Sequence, residues 1–433
     1  MFTQQQLHTS RRNRVKSSFA FSALTALVLV TILSTTARAD AVTHWNEVLT
    51  ATTTPPTSTM APPFQSRIYA MTHLAIHDAL NAIDRRYEPY ALSCEPDAGA
   101  SAEAAVAAAA YNVLLHELPA PQPTLDAEYQ AALTSIADGE AKTRGLLIGQ
   151  AAAAAIISLR SGDGSTTPTP YTLGTEPGIW RPTPPAFLPA LAPGWGHVTP
   201  FALRDSSQFR PDPSDYFDLT SDAYSRDYEE VKSIGVVGSL TRTADQSETA
   251  RFWYENSPPG WNRITRNVAS QLPPDLWANA RLFGLVNLAL ADGYISTFEA
   301  KYYYNFWRPV TAIRAGDTDG NPNTIADPAW TSFLVTPPIP DNSSGHAVAG
   351  ASVSIVLARF FDNDNVYFTS TSGAPFAGIT RSFTSFSQAA QENADSRVYA
   401  GIHFRSATRD GLRQGHQVGR FVSNHFLKPV KGH

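Results

Sequence analysis

Apolar residues recur every three or four positions over most of the chain, which is the spacing of one buried face of an α-helix. The clearest example runs from Phe64 to Ile83. Two alanine-rich stretches, 102–117 and 147–159, favour helix and allow helices to approach closely. The same pattern predicts helices at 125–137, 219–233, 243–255, 275–295, 297–315, 346–361, 384–400 and 408–427. The sequence therefore predicts an all-α protein of stacked helical bundles.

One long stretch, residues 162–215, breaks this pattern. It is rich in proline and carries Trp180, Phe187 and Trp195, which a flexible linker would lack. We expect a long irregular segment held to the surface by its aromatic side chains. The best strand candidate is the short run from Val366 to Thr369. These features predict an N-terminal helical region over 40–270, which contains the proline-rich segment, and a C-terminal helical core over 271–433.

The first 39 residues have the pattern of an export signal. A basic region ends at Lys16, an apolar run follows from Phe19 to Leu33, and Ala37-Arg38-Ala39 forms a small-residue cleavage site. The alternative is an uncleaved anchor, although the apolar run is short for a membrane span. The segment around Arg11 and Arg12 also partly matches a twin-arginine signal, so the export route stays open. We expect a periplasmic or extracellular protein.

Charge and cysteine content restrict the partners of the mature chain. Removing residues 1–39 removes five basic residues, which leaves 28 of the 33 lysines and arginines against 38 acidic residues. A body this acidic does not attract nucleic acid, and any anion site must be a local concentration of cations. The single cysteine, Cys94, excludes an intrachain disulfide. No second run is apolar enough to span a membrane, and the oligomeric state stays open, a homo-oligomer included.

The first of three candidate stretches runs from Lys301 to Pro309. On a continuous helix, Lys301 and Arg308 would share one face about 10 Å apart along the axis, where both could hold one anion. Pro309 would hold Arg308 near a helix end or kink. The alternative is a solvated basic stripe, which the neighbouring Phe306 and Trp307 argue against because they indicate a buried environment.

The second stretch, Ser343-Ser344-Gly345-His346, precedes an apolar helical run. A helix that begins here presents free backbone N–H groups and the positive end of its dipole, which together bind anions. His346 in the first turn could exchange a proton with a bound group. The alternative is an ordinary helix cap with a surface histidine.

The third stretch contains Arg397 and His403. Arginine presents a planar fork of donors that suits oxyanions. Six residues apart on one helix, the two side chains would point about 120° apart, so both reach one site only if the helix ends between them, with Gly401 as the expected break. The alternative is a core helix with a structural histidine. Together the three stretches predict a cationic pocket for a tetrahedral oxyanion.

This set of motifs, Lys-x6-Arg-Pro, Ser-Gly-His and Ser-Arg-x5-His, resembles the superfamily of vanadium-dependent haloperoxidases and type 2 phosphatidic acid phosphatases. The resemblance to the bacterial vanadium haloperoxidase-like branch extends to 77–84, to 182–189 and to 287–292. It covers most of the mature chain.

The resemblance implies a vanadate cofactor, with phosphate as a competing occupant, whose oxygens are held by three cations and two hydrogen-bond donors: Lys301, Arg308, Arg397, Ser344 and the backbone N–H of Gly345. His403 would bind the vanadium, and His346 would be the acid–base partner. The implied substrates are hydrogen peroxide and a halide, and Lys301 would polarise the peroxide on the way to hypohalous acid.

Two other functions stay open. An acid phosphatase could use the same pocket for a phosphomonoester, with His403 forming a phosphohistidine and His346 protonating the leaving group. A non-catalytic phosphate- or vanadate-binding protein is the third hypothesis. Its only support is that alanine stands at position 407, where the family often has a carboxylate.

The sequence departs from the family at three places that bear on the site. Ser343 stands where proline is usual. Ala407 stands where an aspartate often orients the metal-binding histidine, and Asp410 is a candidate substitute. Ile339, five residues before Ser344, does not decide the halide.

Outside these stretches, we expect no metal or catalytic role for the remaining candidates. We interpret His73 and His77 as buried, hydrogen-bonded histidines and expect Asp292 to hydrogen-bond within the bundle. His416 and His425 fall on the last predicted helix, where we expect structural or exposed positions.

Overall fold

The computed structural model describes residues 40–55 and 60–430, and the predicted export signal lies outside them. The described chain is helical apart from a single two-stranded antiparallel hairpin, which confirms the all-α prediction. In chain order its elements are α1 (Ala41–Thr53), α2 (Pro62–Asn81), α3 (Ala102–Glu117), α4 (Gln122–Thr134), α5 (Glu140–Arg160), α6 (Asp222–Ile234), α7 (Ala244–Phe252), α8 (Ser257–Ala269), α9 (Leu276–Tyr304), α10 (Pro309–Arg314), α11 (Gly345–Phe360), β1 (Phe368–Thr371), β2 (Thr380–Phe383), α12 (Phe386–Tyr399) and α13 (Arg405–His425).

Two helices were not predicted from the sequence. Helix α8 begins Ser257-Pro258-Pro259-Gly260, which reads as a chain breaker. The prolines lie in its first turn, where a backbone N–H needs no helical partner, so they start the helix instead of ending one. Helix α1 is rich in threonine and polar residues, and it begins where the Asp40 side chain accepts a hydrogen bond from the N–H of Thr43.

The prediction of separate helices at 275–295 and 297–315 is wrong. Helix α9 runs for 29 residues, about 43 Å at the usual rise, and is buried along most of its length. It ends at Asn305, which adopts a left-handed conformation with φ of 50°. Pro309 then opens the short helix α10. The break at Asn305 places Lys301 and Arg308 on different elements.

Helix α9 is the element that joins the two halves of the chain. Helix α2 packs against it from the N-terminal part, and α11 and α13 pack against it from the C-terminal part. The described residues fall within one compact unit. The division into regions 40–270 and 271–433 stays a prediction.

The proline-rich segment follows α5 and is irregular up to α6, apart from two short 3-10 turns. Trp180 and Trp195 are buried as expected, whereas Phe187 is 61% exposed and does not anchor it. Asp292 of α9 fixes the segment by accepting hydrogen bonds from three consecutive backbone N–H groups, at 2.6–2.7 Å, those of Phe201, Ala202 and Leu203. Asp292 therefore has the structural role expected for it.

Close approach between α11 and α13 depends on glycine. A methyl group at Gly415 would lie 2.3 Å from the carbonyl oxygen of Val348. Gly411 and Gly419, one turn before and one turn after on α13, would carry methyl groups 2.7 and 2.4 Å from carbonyl oxygens of the α11 segment. Because van der Waals contact begins well beyond these distances, this glycine stripe lets the two helices touch through their backbones.

Within the described ranges, no helix is long and apolar enough to cross a membrane.

We expect Gly415→Ala to lower the free energy of unfolding by about 1–3 kcal/mol, because the added methyl group must push α13 away from α11. Gly162→Ala is the matched control, since Gly162 is exposed and has no atom within 4 Å of an added methyl group. Urea unfolding of the mature protein measures both. Equal unfolding free energies for the two variants would contradict the role given to the stripe.

Candidate oxyanion site

Lys301 lies in the last turn of α9 and is fully buried. Its Nζ donates hydrogen bonds to the backbone carbonyls of Pro340 at 2.8 Å and Asp341 at 2.9 Å. An ammonium group has three donors, so one remains for another acceptor. The expectation that Lys301 shares a helix face with Arg308 is wrong, because α9 ends between them.

Arg308 is the residue before Pro309 and caps the start of α10 in an extended conformation. Its Nε donates to the carbonyl of Ile339 at 2.7 Å, and its Nη1 donates to the carbonyl of Ile402 at 2.6 Å. Lys301 and Arg308 thus hold three consecutive carbonyls, those of residues 339–341. This shared loop brings the two cations together even though they lie on different elements.

Helix α11 begins where the sequence predicts it, with Ser344 as the capping residue and Gly345 as the first helical residue. The N–H of Ser344 donates to the carbonyl of Ala407 at 3.0 Å, which ties this helix start to α13. The first N–H groups of α11 have no carbonyl partner inside the helix. The preceding Ser343 is buried and its hydroxyl donates to Gln414, so the serine that replaces proline is anchored to α13.

His346 lies in the first turn of α11 and is partly exposed. Its Nε2 is 2.9 Å from the carbonyl oxygen of Glu255. Because a carbonyl only accepts, Nε2 carries the proton and Nδ1 keeps a lone pair. Burial, followed by the positive charge of Arg397, holds the pKa of His346 well below its usual value. The imidazole is therefore neutral and able to accept a proton.

Arg397 lies near the end of α12 and is buried. Its Nη1 donates to the carbonyl of Trp253 at 3.1 Å, and its guanidinium lies 5.8 Å from the centre of the Tyr254 ring. The chain turns at Gly401, whose φ is 77°, and this confirms the expected break between Arg397 and His403. Trp253 and Tyr254, which lie in the turn between α7 and α8, were not predicted as site residues.

His403 is buried, and its Nε2 lies 3.0 Å from Nη1 of Arg308. A guanidinium only donates, so Nε2 is the acceptor and the proton of the neutral ring is on Nδ1. Burial and the positive charge of Arg308 hold the pKa of His403 well below its usual value, which keeps the ring neutral. The predicted role of this histidine needs an Nε2 lone pair, and the tautomer supplies it.

Asp341, a fully buried carboxylate in this site, was not predicted from the sequence. Its Oδ1 lies 2.9 Å from Nδ1 of His403 and 3.7 Å from Nη1 of Arg308. Asp410 was the expected substitute for the carboxylate missing at Ala407, and this expectation is wrong. Asp410 instead accepts hydrogen bonds from Asn342, at 2.6 Å, and from Arg413.

The charges of the site favour an anion. Three cations are buried together, and burial lowers the pKa of Arg308 and of Arg397 to about 10 and holds that of Lys301 well below its usual value. The positive charges of Arg308 and Arg397 both lower the pKa of Lys301, which indicates that the three cations lie close enough to repel one another. Burial raises the pKa of Asp341, whose carboxyl group lies beside Arg308, to about 7.

Several polar atoms of the site are buried and have no hydrogen-bond partner among the described residues: Nη2 of Arg308, Nε of Arg397 and Oγ of Ser344. Such atoms are costly unless something accepts their protons. Donors of this kind fit the oxygens of a small tetrahedral oxyanion such as vanadate or phosphate. Within the part of the chain that the structure describes, no group of three or more His, Cys, Asp or Glu side chains is placed to hold a metal cation.

The histidines outside the site have the places expected for them. Nε2 of His73 is 2.7 Å from the Asn46 amide, and Nε2 of His77 is 3.1 Å from the carbonyl of Glu88. Both are fully buried. The two histidines of α13 are exposed: His416 and His425.

Comparison with known proteins agrees with this geometry. Residues 281–432 match the family model of the VCPO second helical-bundle domain. A vanadium chloroperoxidase from Curvularia inaequalis is 25% identical, with 81% of this chain and 76% of the relative covered. This chain is similar to vanadium-dependent haloperoxidases. The expected resemblance and the expected fold are both confirmed.

Solved structures show the same likeness in three dimensions. A bacterial vanadium-dependent iodoperoxidase is 27% identical with a TM-score of 0.79, covering 90% of this chain and 98% of the other. A bacterial vanadium-dependent chloroperoxidase in its holo form is 19% identical with a TM-score of 0.71, covering 86% and 94%. At that identity the second comparison shows the fold alone. The haloperoxidase fold thus extends over nearly the whole described chain, beyond the matched C-terminal bundle.

We expect Arg397→Gln to weaken orthophosphate binding by about 10- to 150-fold, because a charge-assisted hydrogen bond contributes about 1.5–3 kcal/mol. Isothermal titration of the mature protein with orthophosphate measures the change. Arg405→Gln is the matched control, since Arg405 lies nearby but pairs with Glu230 and Asp395. Equal affinities for the parent and the Arg397 variant would show that Arg397 does not contact the anion.

Proposed function

We propose that this protein is a vanadium-dependent haloperoxidase that uses hydrogen peroxide to oxidise a halide to hypohalous acid. The observation that carries the proposal is the set of buried cations and unpartnered donors around the Nε2 lone pair of His403. The similarity to an iodoperoxidase and a chloroperoxidase supports the same reaction class. Halide preference and organic substrate stay open, because Ile339 does not decide them.

The proposed site holds vanadate in two ways. Lys301, Arg308 and Arg397 offset its negative charge, while Ser344 and the N–H of Gly345 donate hydrogen bonds. His403 would present Nε2 to the vanadium, and that bond would replace the hydrogen bond that Nε2 now accepts from Arg308. Vanadate, when bound, supplies the electrophilic centre at which peroxide becomes reactive towards halide.

His346 is the proposed acid–base residue. Its ring is neutral, its Nε2–H is fixed by the Glu255 carbonyl, and its partly exposed position gives small molecules access to it. The free Nδ1 can therefore accept a proton from incoming hydrogen peroxide. Lys301 is the proposed group that polarises the peroxide, because one of its three donors is not used by the protein backbone. Such preorganised charge lowers a barrier by several kcal/mol.

We also propose that the protein is exported, with residues 1–39 as a cleaved signal and the mature enzyme in the periplasm or outside the cell. This rests on the basic region, the apolar run and the Ala37-Arg38-Ala39 site in the sequence.

An acid phosphatase is the second candidate function. What favours it is that every cation and donor of the site would contact oxygen, and phosphate offers the same four oxygens as vanadate. His403 would then attack phosphorus and His346 would protonate the leaving group. The non-catalytic hypothesis rested on the carboxylate missing at Ala407, and against it stands Asp341, whose Oδ1 lies 2.9 Å from Nδ1 of His403.

Mature protein loaded with orthovanadate should oxidise iodide or bromide in the presence of hydrogen peroxide. We expect Lys301→Ala to lower kcat by about 100- to 1000-fold, since it removes one preorganised charge from the reacting centre. Triiodide formation measures iodide turnover. No turnover with either halide, or a Lys301 variant with the same kcat as the parent, would contradict the proposal. Hydrolysis of p-nitrophenyl phosphate without vanadate, with a phosphoenzyme that His403→Ala abolishes, would favour the phosphatase instead.

We expect His346→Gln to lower kcat for halide oxidation by about 100- to 10,000-fold, the usual contribution of a general acid–base group. Orthovanadate affinity should change by less than about threefold, because glutamine can still donate to the Glu255 carbonyl and no cation is lost. His425→Gln, an exposed histidine on α13, is the control. Parallel losses of affinity and turnover would instead assign His346 to cofactor binding.

A further inference from the structure

We propose that Tyr254 and Phe376 form an aromatic gate at the mouth of the oxyanion site. The gate admits free oxyanions and hydrogen peroxide, and it excludes anions and peroxides that carry a bulky organic group. For peroxides the inference rests on the proposed function, because it names which oxidants reach the proposed reacting centre. For anions it rests on the geometry of the site alone.

The site opens to solvent at the first turn of α11. Gly345 and His346 are partly exposed there. The other predicted site residues are buried: Lys301, Arg308, Ser344, Arg397 and His403. A molecule that enters the pocket therefore passes His346, and the residues next to this histidine decide what can enter.

The segment between α7 and α8 crosses this mouth. The carbonyl of Trp253 accepts a hydrogen bond from Arg397 at 3.1 Å, and the carbonyl of Glu255 accepts one from His346 at 2.9 Å. Tyr254 lies between these two contacts and is partly exposed, and its ring centre is 5.8 Å from the guanidinium carbon of Arg397. The Tyr254 ring therefore lies at the edge of the pocket, next to an arginine that would hold the anion.

The ring of Tyr254 is fixed at its far end as well. Its hydroxyl donates a hydrogen bond to the carbonyl of Val335 at 2.7 Å. The neighbouring N–H of Leu334 donates to the carbonyl of Ala400 at 3.0 Å, in the turn between α12 and α13. Because it is held at its backbone and at its hydroxyl, the ring spans the mouth from one side to the other.

Phe376 packs against this ring. It lies in the loop between β1 and β2, and its ring centre is 5.9 Å from that of Tyr254 with the two rings at 60°. This is a common geometry for a favourable aromatic pair. Phe376 also packs against the small apolar cluster that contains Leu334 and Ala400. Movement of the Tyr254 ring therefore requires movement of Phe376.

The loop that carries Phe376 is tied to the same mouth. The N–H of Gly373 donates to the carboxylate of Glu255 at 3.0 Å, and Glu255 is the residue whose carbonyl holds His346. Within the loop, the hydroxyl of Ser372 donates to the carbonyl of Phe376. One residue thus fixes both the histidine at the mouth and the loop beside it, so the gate has a defined position.

This arrangement discriminates by size and not by charge. The three cations and the start of α11 surround an anion on its buried sides, so an organic substituent on the anion can point only towards the mouth. There it meets the Tyr254 ring, and it gains room only if Phe376 moves away. A steric barrier of this kind separates ligands that have the same charged group. The gate therefore favours free vanadate over a phosphomonoester, which carries such a substituent.

The test compares orthophosphate with phenylphosphonate, which has a similar charged group and carries a ring. Isothermal titration of the mature parent should show orthophosphate binding at least about tenfold more tightly, because the ring has no room. Phe376→Ala should tighten phenylphosphonate binding at least about fivefold and leave orthophosphate binding within about threefold, which also shows that the variant is folded. Equal affinities for the two anions in the parent, or unchanged phenylphosphonate affinity in the variant, would overturn the inference.

Tyr254→Phe is the second variant. It keeps the ring and removes the hydrogen bond to Val335, so it should tighten phenylphosphonate binding by a smaller factor than Phe376→Ala does. Phe421→Ala is the matched control, since Phe421 is also a partly buried aromatic residue but stacks on His425 near the end of α13. It should leave both affinities unchanged, and an equal gain in this variant would refute a specific role for Phe376.

Vanadate-loaded protein provides the readout for peroxides. The ratio of kcat/KM for hydrogen peroxide to that for cumene hydroperoxide should fall at least about fivefold in Phe376→Ala, because the bulky peroxide gains access. The same ratio in the parent and in the variant would contradict the gate.

The binding and turnover results separate the gate from the proposed function. A parent that oxidises halide with hydrogen peroxide but binds phenylphosphonate as tightly as orthophosphate keeps the proposed function and has no gate. A parent that excludes phenylphosphonate but oxidises no halide keeps the gate for anions and loses the proposed function.

Discussion

Mutual repulsion among three buried cations is the constraint that shapes this molecule. Lys301, Arg308 and Arg397 are each 0–1% exposed, and each would be unstable in a low-dielectric interior without partners. The protein meets this cost with backbone carbonyls. Lys301 and Arg308 donate hydrogen bonds to the carbonyls of residues 339–341, and Arg308 also donates to that of Ile402. Arg397 donates to the carbonyl of Trp253. Carbonyls hold the cations in place without neutralising them, so the positive field stays available to an anion.

The packing of the helices follows from the need to bring these carbonyls to one place. Helix α9 carries the lysine, and the loop it grips leads directly into α11. The glycine stripe of α13 lets α11 and α13 touch, and the N–H of Ser344 is bonded to Ala407 across that contact. The proline-rich segment is fixed to α9 by Asp292, nine residues before Lys301. The rigid parts of the fold therefore converge on one helix and one loop.

The sequence predicted most helices and the three motif stretches, because helical periodicity and motif spacing are local properties of the chain. The continuous helix through Lys301 and Arg308 was wrong, since a left-handed Asn305 is not visible in an apolar pattern. The predicted start of α11 and the predicted break at Gly401 were correct, because serine is a local signal for a helix start and glycine for a helix end. The position of Asp341 beside His403 could not be predicted. Asp341 is distant in sequence from His403, and only the fold of the loop brings the two side chains together.

The replacement of one carboxylate by another shows why motif spacing alone is a weak guide to loss of function. A histidine needs an acceptor near Nδ1, and the physical requirement is a distance and a direction, not a position four residues later. Alanine at position 407 leaves no carboxylate on α13 near His403. The carboxylate of Asp341 lies beside His403 instead, on the loop whose carbonyls accept hydrogen bonds from Lys301. The two arrangements differ in one respect, because Asp341 also lies beside Arg308 and so reduces the positive charge of the site.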